Sequence, residues 1–374
     1  MVTSDRLVAP RSRVLFGMGR VDITSPVGIY HRLWGAARHD RATGVHRPLH
    51  CDVLVVGPVD AGCAPMVRAQ LDLPGLVQAQ HHQLALALSE AANVLPDQVV
   101  ITYSHTHAGG WFAPDRVELP GGELIGSYLR DVGAKMGDAC AQALASMQEV
   151  TIECASGRCS MAANRDYWDA SLGAYVCGFN PATPADETLI VGRITDSGGR
   201  LVGTVVNYAC HPTTLAWDNT LVSPDYLGAL REEIERETRA PSIFLLGACG
   251  DLGPRHGFVG DPAVADQNGR QVAFAALSIL TGLGPPDTEF RYAGPVISGA
   301  TLGIWQYLPS SQERLREATR FSGGTYSIDL PLKDRPDAAA LRDEIDRFEA
   351  EAAALDNRGE HVRARNSGAY AERA

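Results

Sequence analysis

The sequence predicts an α/β fold: a mixed β-sheet core flanked by helices, with a metal site at the carboxyl ends of strands. Short apolar runs alternate with longer segments of helical periodicity, which is typical of a sheet with helices packed on it. Several runs are apolar throughout, as expected for strands that are covered on both faces. Histidines follow two of the runs directly, so imidazoles are predicted at strand ends.

The predicted strands are short runs rich in β-branched and aliphatic residues. In chain order they are CDVLVVGP from Cys51, MVRAQLDL from Met66, QVVITYS from Gln98, VTIECAS from Val150, TLIVGRI from Thr188, LVGTVVNYAC from Leu201 and SIFLLGAC from Ser242. The alternation with helical segments indicates that these strands belong to one large sheet.

Helices are predicted where apolar residues recur every three or four positions. This spacing covers Tyr128 to Met147, Leu227 to Ile234, and Leu341 to Leu355. Ser223 and Pro224 predict the start of the second helix, because a serine hydroxyl can cap a helix and proline suits its first turn.

Composition restricts the class of protein. The 374 residues are enough for one extended α/β domain or two ordinary ones, and we predict a single domain over 1–374. The formal net charge of -11, without a dense Lys/Arg cluster, argues against a nucleic-acid partner. The eight cysteines contain no Cys-x-x-Cys pair and are predicted to be reduced core residues.

The same pattern bears on location. The first residues contain no apolar stretch suited to a signal peptide, and no run of about 18 apolar residues could cross a bilayer. We therefore expect a cytoplasmic protein without a transmembrane segment.

The segment from Tyr30 to His50 is polar, contains several glycines and holds four histidines. It is predicted to be a loop over a functional face, with Gly35 and His46 contacting substrate. Solvation of an ordinary surface loop would explain the same composition.

SHTHAGGWF, from Ser104, follows an apolar strand directly. Side chains two apart in a strand point the same way, so His105 and His107 are predicted to emerge on one face. A His-x-His pair at a strand end is a common way to present imidazole nitrogens to a metal. Two hydrogen-bonded surface histidines are the alternative.

Two further strand ends carry polar residues. LVGTVVNYAC ends in His211, and SIFLLGAC runs into a glycine-rich turn with Asp251. Ligands in open α/β sheets bind outside the carboxyl ends of strands, so these ends are predicted to converge with the first. Either residue could instead be a satisfied polar group at a strand terminus.

Weaker candidates lie nearby. Arg165 could donate to a substrate carbonyl or pair with a carboxylate, and Asp225 could contact substrate or be stabilised by a helix dipole. Trp111 and Phe112 could line an apolar channel or pack on the core.

Five motifs occur in the order and approximate spacing of a known family: GMGRVDITSPVG, SHTHAGGWF, ANRDYW, NYACHPTTLAWDNTLVSPDYLGALRE and FLLGACGDLGP. Together they resemble the N-terminal catalytic domain of the neutral/alkaline non-lysosomal ceramidases and their shorter bacterial relatives. The resemblance covers roughly Phe16 to Gly284.

The resemblance implies a zinc-dependent hydrolase of a C–N amide bond in ceramide or another small-molecule or lipid N-acyl compound. His105 and His211 match the histidines that bind Zn²⁺, and His107 matches the one that acts beside a zinc-activated water. Arg165 matches the arginine that holds the amide oxygen, and we add Asp251 to this catalytic group.

Two departures from the family pattern affect these expectations. Gly253 stands where the family's ceramidases carry a serine with a catalytic part, which questions ceramide as substrate. No Pro-Gly-Glu element follows Gly284, and that element and a later tyrosine complete the family's zinc site. A natural truncation, a fragment, or a divergent site that recruits Asp251, Asp225 or His256 would each explain this.

Two other function classes remain open at this point. One is a different metallohydrolase, although the motif positions typical of TIM-barrel amidohydrolases and metallophosphoesterases are missing. The other is a non-catalytic relative that has lost zinc. The immunoglobulin-like C-terminal domain of long ceramidases is also not expected.

Overall fold

The fold is described from a computed structural model that covers residues 2–3, 5–60, 62–332, 334 and 337–373. The helices are α1 (Gln78–Ala92), α2 (Ile125–Ala145), α3 (Tyr226–Thr238), α4 (Pro262–Gly282), α5 (Gln312–Glu317), α6 (Ala338–Asn357) and α7 (His361–Arg373). The strands are β1 (Val2–Thr3), β2 (Arg6–Leu7), β3 (Arg11–Asp22), β4 (Gly44–Val45), β5 (His50–Gly57), β6 (Met66–Leu71), β7 (Val99–Tyr103), β8 (Gln148–Arg158), β9 (Ala162–Asn164), β10 (Asp166–Asp169), β11 (Ala174–Cys177), β12 (Thr188–Asp196), β13 (Leu201–Tyr208), β14 (Leu221–Val222), β15 (Ser242–Leu246), β16 (Leu252–Pro254), β17 (Thr288–Ile297) and β18 (Thr301–Pro309).

The main sheet has eight strands in the order β15-β13-β12-β8-β3-β5-β6-β7. The pairs β6–β7 and β13–β15 are parallel and the other neighbours antiparallel, so the predicted mixed sheet is confirmed. All seven predicted strands belong to it. The eighth, β3, was not predicted as a strand.

Helices cover one face of each half of this sheet. In the first half, α1 and α2 pack on β3, β5 and β7, and in the second half α3 and α4 pack on β8, β12 and β15. Leu88 of α1 and Val132 of α2 are fully buried in one hydrophobic cluster, and Leu230 of α3 and Val272 of α4 are fully buried in another. Each helix pair therefore has its own hydrophobic core.

The opposite faces of the two halves pack against each other. Strand residues alternate between faces, and one buried cluster joins Phe16 of β3 and Leu54 of β5 with Ile194 of β12 and Ile243 of β15. Because β5 and β15 lie five positions apart in the sheet, a flat sheet would separate them by about 24 Å. The sheet therefore folds back on itself, giving four layers: helices, strands, strands, helices.

Two arginines connect the folded halves. Arg20 of β3 donates to the Ser242 carbonyl of β15 at 2.8 Å. Arg231 of α3 forms a buried ion pair with Asp72, which follows β6, at 2.5 Å. These side chains reach from one half of the sheet to the other, so they hold the two halves together.

Glycines allow the helices to approach the sheet and each other. A Cβ on Gly19 would lie 2.0 Å from the Ala139 carbonyl oxygen of α2, and one on Gly269 of α4 would lie 2.2 Å from the Tyr226 carbonyl oxygen of α3. No side chain fits at such a distance, so each glycine is required by backbone packing.

Two predicted helix boundaries were wrong. The helix α3 begins at Tyr226, and Asp225 rather than Ser223 caps it by accepting a hydrogen bond from the Tyr226 N–H. The helix α2 ends at Ala145, so Met147 lies outside it. The third predicted helix corresponds to α6 and is confirmed.

Later parts of the chain add smaller elements. The hairpin β17–β18 forms a four-stranded sheet with β1 and β2, and α6 packs on α7. The helix α7 approaches the loop after Tyr30, where Arg32 lies 3.4 Å from Glu372. Among the residues that the structure describes, no helix is long and apolar enough to cross a membrane.

Candidate metal centre

Three histidine rings meet at one point between the two halves of the sheet. Each of His105, His107 and His211 offers a ring nitrogen, and these nitrogens all lie within 4.8 Å of one another. The ring centroids of His105 and His211 are 4.6 Å apart, and that of His107 lies 5.0 Å from the first and 5.1 Å from the second. The three rings are close enough to share one cation.

The folding back of the sheet allows the three rings to meet. β7, which precedes His105, and β13, which precedes His211, are six positions apart and antiparallel. A flat sheet would hold their carboxyl ends about 29 Å apart and at opposite edges. Strand twist of roughly 20–25° per neighbour accumulates over six steps, and together with the folding back of the sheet it brings the two ends together.

The first two histidines lie on a tight turn. The Ser104 and His105 N–H groups continue the sheet pattern by donating to the carbonyls of Leu71 at 2.8 Å and Leu73 at 3.0 Å. His105 then adopts a left-handed backbone with φ 63°, which is uncommon outside glycine. The His105 and His107 rings therefore approach each other because of this turn. The prediction that they share one face of a strand was wrong, since β7 ends at Tyr103.

Backbone carbonyls orient two of the rings. His105 Nδ1 contacts the Pro74 carbonyl oxygen, and His211 Nδ1 lies 3.3 Å from the Cys249 carbonyl oxygen. A carbonyl only accepts, so Nδ1 of each ring carries the proton and Nε2 keeps its lone pair. Such partners are typical of histidines that bind metals.

Burial favours the neutral form of His107 and His211. It lowers the pKa of His107 to about 3, with further contributions from His105, His211 and Arg165. Burial also lowers the pKa of His211 to about 4, and the Arg165 charge acts in the same direction. His107 Nε2 lies 3.2 Å from His211 Nε2. Two nitrogen lone pairs at this distance repel unless a proton or a cation lies between them.

A second histidine pair supports the turn from behind. His31 is buried, its Nε2 lies 3.1 Å from the Ala108 carbonyl oxygen, and its Nδ1 lies 3.0 Å from His39 Nε2. Burial lowers the pKa of His31 to about 4. Both residues lie in the loop predicted to be functional, although neither was singled out.

Arg165 lies near the histidines, since its charge lowers the pKa of both His107 and His211. Its N–H donates to the Asp251 carbonyl oxygen at 2.9 Å, which ties the start of β10 to the turn after β15. The Asp251 side chain is exposed. Asp251, Asp225 and His256 do not join the cluster within the described part of the chain.

The predicted substrate-binding residues have protein partners. Asp225 is 0% exposed and accepts backbone hydrogen bonds from Leu215 at 2.8 Å and Tyr226 at 2.7 Å, which leaves no carboxylate oxygen facing a substrate. His46 lies between Ser223 Oγ at 2.9 Å and an Asp266 carboxylate oxygen at 3.2 Å.

Gly35 packs against α7, because a Cβ there would lie 2.4 Å from the Ala369 Cβ. Substrate contact by Gly35 or His46 stays a prediction. Phe112 is buried and packs on Tyr128 at 5.0 Å, and Trp111 packs against the same core, so both belong to the core alternative.

One aromatic ring beside His107 and two rings that contact it were not predicted. Trp34 lies 5.0 Å from the His107 ring centroid, and Trp217 and Phe258 lie 6.1 Å and 5.8 Å from Trp34. They come from three separate segments of the chain, so no local pattern joins them. The presence of Trp34 in the histidine-rich loop and Trp217 in the motif after His211 was the available signal.

Comparison with known proteins agrees with this architecture. Residues 14–268 match the family described as neutral/alkaline non-lysosomal ceramidase, N-terminal. A solved ceramidase complexed with C2 matches with a TM-score of 0.59 and 20% identity, covering 79% of this chain and 50% of that chain. Neutral ceramidase from Pseudomonas aeruginosa matches with a TM-score of 0.57 and 19% identity, covering 79% of this chain and 51% of that chain.

The chain thus spans about half the length of these solved structures. At such identities the likeness demonstrates a shared fold, and the chemistry has to be argued from the site itself.

Proposed function

Because this chain belongs to the neutral/alkaline non-lysosomal ceramidase family, we propose that it is a zinc-dependent hydrolase of the C–N amide bond in an N-acyl substrate, ceramide or a ceramide-like compound. The observation that carries the proposal is the convergence of three imidazoles from two separate strand ends. Its partner would be a small-molecule or lipid amide.

The donor set fits zinc. Three imidazoles are an established ligand set for catalytic zinc, with a fourth position open. His105 and His211 would bind through Nε2, since Nδ1 of each contacts a backbone carbonyl. His107 has a ring nitrogen within reach of the same ion, and it would be the third ligand only where it does not act in proton transfer. A zinc ion held there would act as a Lewis acid and lower the pKa of a water molecule, the nucleophile that amide hydrolysis requires.

The other groups around the site suit the rest of the reaction. Arg165 would donate hydrogen bonds to the substrate amide oxygen and stabilise the negative charge that develops on it. His107 would move a proton between the nucleophile and the leaving nitrogen. Asp251 would act indirectly, because its carbonyl holds the Arg165 backbone.

Zinc content of the purified protein tests the metal site. We expect one zinc ion per chain in the wild type and almost none in His105→Ala or His211→Ala. His82→Ala is the matched control, because His82 is exposed on α1 and lies outside the cluster. Equal zinc content in the wild type and His211→Ala would contradict the site, and near-zero zinc in the wild type would favour the non-catalytic alternative.

The His107→Ala variant separates two roles for that residue. Retained zinc with lost hydrolysis would assign His107 to proton transfer, as proposed. Lost zinc would make it the third ligand, a role that its distance of 3.2 Å from His211 Nε2 allows. Hydrolysis would be measured on a panel of N-acyl sphingosines and N-acyl amino acids.

Arg165→Lys tests the amide contact. The two-pronged guanidinium donor is replaced by a point charge, so we expect lower turnover at unchanged zinc content. Unchanged kinetics would remove Arg165 from the site.

A further inference from the structure

Three aromatic side chains have no role in the proposed reaction: Trp34, Trp217 and Phe258, here called the aromatic cluster. Trp34 contacts His107, and the other two rings contact Trp34. Trp34 is close to perpendicular to the other two rings, at 77° to Trp217 and 89° to Phe258. Trp217 and Phe258 are within 13° of parallel, with centroids 6.4 Å apart. The three rings contact one another and form one aromatic surface that begins at His107.

The aromatic cluster is not part of the hydrophobic core. None of its residues belongs to the buried clusters formed by the described residues. Trp217 is 36% exposed, and Trp34 and Phe258 are half-buried. Aromatic surface left partly open beside a polar site is typical of pockets that bind small molecules.

Two features show that these rings are held in place at a cost. The Trp34 indole nitrogen is buried without a hydrogen-bond partner, although a buried indole N–H usually has one. Phe258 adopts a left-handed backbone with φ 57°, which is unfavourable for a bulky residue. The Phe258 N–H donates to the Thr213 carbonyl at 3.0 Å, which fixes this conformation.

We propose that the aromatic cluster binds the part of the acyl group nearest the scissile amide, and that the Trp34 N–H donates to an oxygen of the bound substrate. The inference rests on the proposed function and adds the residues that select the substrate. The ring centroids lie 5.8 to 6.4 Å from one another, so the cluster contacts only a short segment of chain. It discriminates between a methyl group and a short alkyl group, and does not measure long acyl chains.

Hydrolysis of N-acyl sphingosines with two, six and twelve acyl carbons tests the proposal in zinc-loaded protein. Losing apolar contacts of this size costs about 10-fold or more in kcat/KM. We expect Trp217→Leu to lose about that factor on the six- and twelve-carbon substrates equally, and less than about threefold on the two-carbon one. Trp168→Leu is the control, because Trp168 is exposed on β10 and its ring contacts Tyr175 edge to face.

Trp34→Phe keeps an aromatic ring and removes the N–H donor. We expect it to lower kcat/KM on all three substrates by a similar factor, with zinc content unchanged. An acyl-length profile identical to the wild type in Trp217→Leu, together with unchanged kinetics in Trp34→Phe, would overturn the proposal while hydrolysis itself remained.

A binding measurement separates this inference from the proposed function. Titration of the wild type with hexanamide and with acetamide, followed by tryptophan fluorescence, should give tighter binding of hexanamide. Trp217→Leu should remove that difference, even if no N-acyl substrate is hydrolysed. Equal binding of the two amides by the wild type, or no binding of either, would overturn the inference.

Discussion

The two halves of the folded sheet are built alike but hold their histidines differently. Each half has a pair of parallel edge strands, β6–β7 in the first and β13–β15 in the second, and two helices packed on one face of its strands. The first half contributes His105 and His107 from a strained turn after the outermost strand. The second contributes His211, which is buried and whose N–H donates to the Leu252 carbonyl at 3.1 Å.

The difference shows that neither half brings the three histidines together by itself. One supplies two imidazoles on a turn that needs a left-handed residue, and the other supplies one imidazole in a fixed frame. The site is therefore a property of the interface between the halves, and changes that loosen the interface should affect it without touching a histidine.

Breaking the ion pair between the halves should have the largest effect. Asp72→Asn leaves Arg231 buried without a counter-charge, which costs about 3–5 kcal/mol of the free energy of unfolding. Zinc content should fall as well, because the halves hold the histidines together. Urea denaturation measures the first effect.

Glu237→Gln is the control for this variant, since Glu237 pairs with Arg236 on the surface and its loss should leave the denaturation midpoint unchanged. A stability of Asp72→Asn equal to that of the wild type would show that the pair does not hold the halves together.

Replacing one closely packed glycine in each half by alanine compares how tightly the two halves are packed. Gly19→Ala in the first half and Gly269→Ala in the second each place a methyl group against a backbone carbonyl. Overpacking of this kind costs about 1–3 kcal/mol, and we expect both variants near the upper end. Thermal unfolding measures the loss, and a variant as stable as the wild type would show that its helix can move away.

The pH dependence of the free energy of unfolding tests a difference between the helix N-termini of the two halves. Asp225 caps α3 in the second half, whereas α1 in the first half has no side-chain cap. Burial raises the pKa of Asp225 from 3.8 to about 6. The folded state therefore binds this proton more tightly than the unfolded state does.

The stability contribution of that proton is present below pH about 4 and is lost as the pH rises to about 6. One pKa unit corresponds to about 1.4 kcal/mol, so the change amounts to about 3 kcal/mol. Comparing the free energy of unfolding of the wild type with that of Asp225→Asn cancels the other titrating groups. A difference that stays constant from pH 4 to pH 7 would contradict the raised pKa.

The smallest effect is a gain. Gly137 lies on α2 with nothing near the position of an added Cβ. Gly137→Ala should raise the free energy of unfolding by about 1 kcal/mol, because glycine is a poor helix former. It serves as the counterpart of Gly19→Ala, and a loss in both variants would mean that α2 tolerates no change.

The sequence predicted most strands of the main sheet because their apolar residues match burial on both faces. It did not reveal β3, since Gly17 and Gly19 lower strand propensity and their purpose, the approach of α2, is a tertiary contact. The start of α3 was misplaced for a similar reason. Asp225 caps it with a left-handed backbone, and no local pattern distinguishes that from a cap by Ser223.

The histidines at strand ends were predictable as residue types, and their meeting follows from the folded sheet. An antiparallel relationship between β7 and β13 is invisible in either motif. The aromatic cluster could not be predicted for the same reason, since Trp34, Trp217 and Phe258 become neighbours only when the sheet folds back on itself.

The folding back of the sheet also affects the rates of folding and unfolding. His105 and His211 are more than one hundred positions apart in the chain, and contacts of such long range form late and slowly during folding. An ion that bridges them would bind after the folding transition state. Added zinc should therefore leave the refolding rate unchanged and slow unfolding instead, so that the metal prolongs the lifetime of the native state.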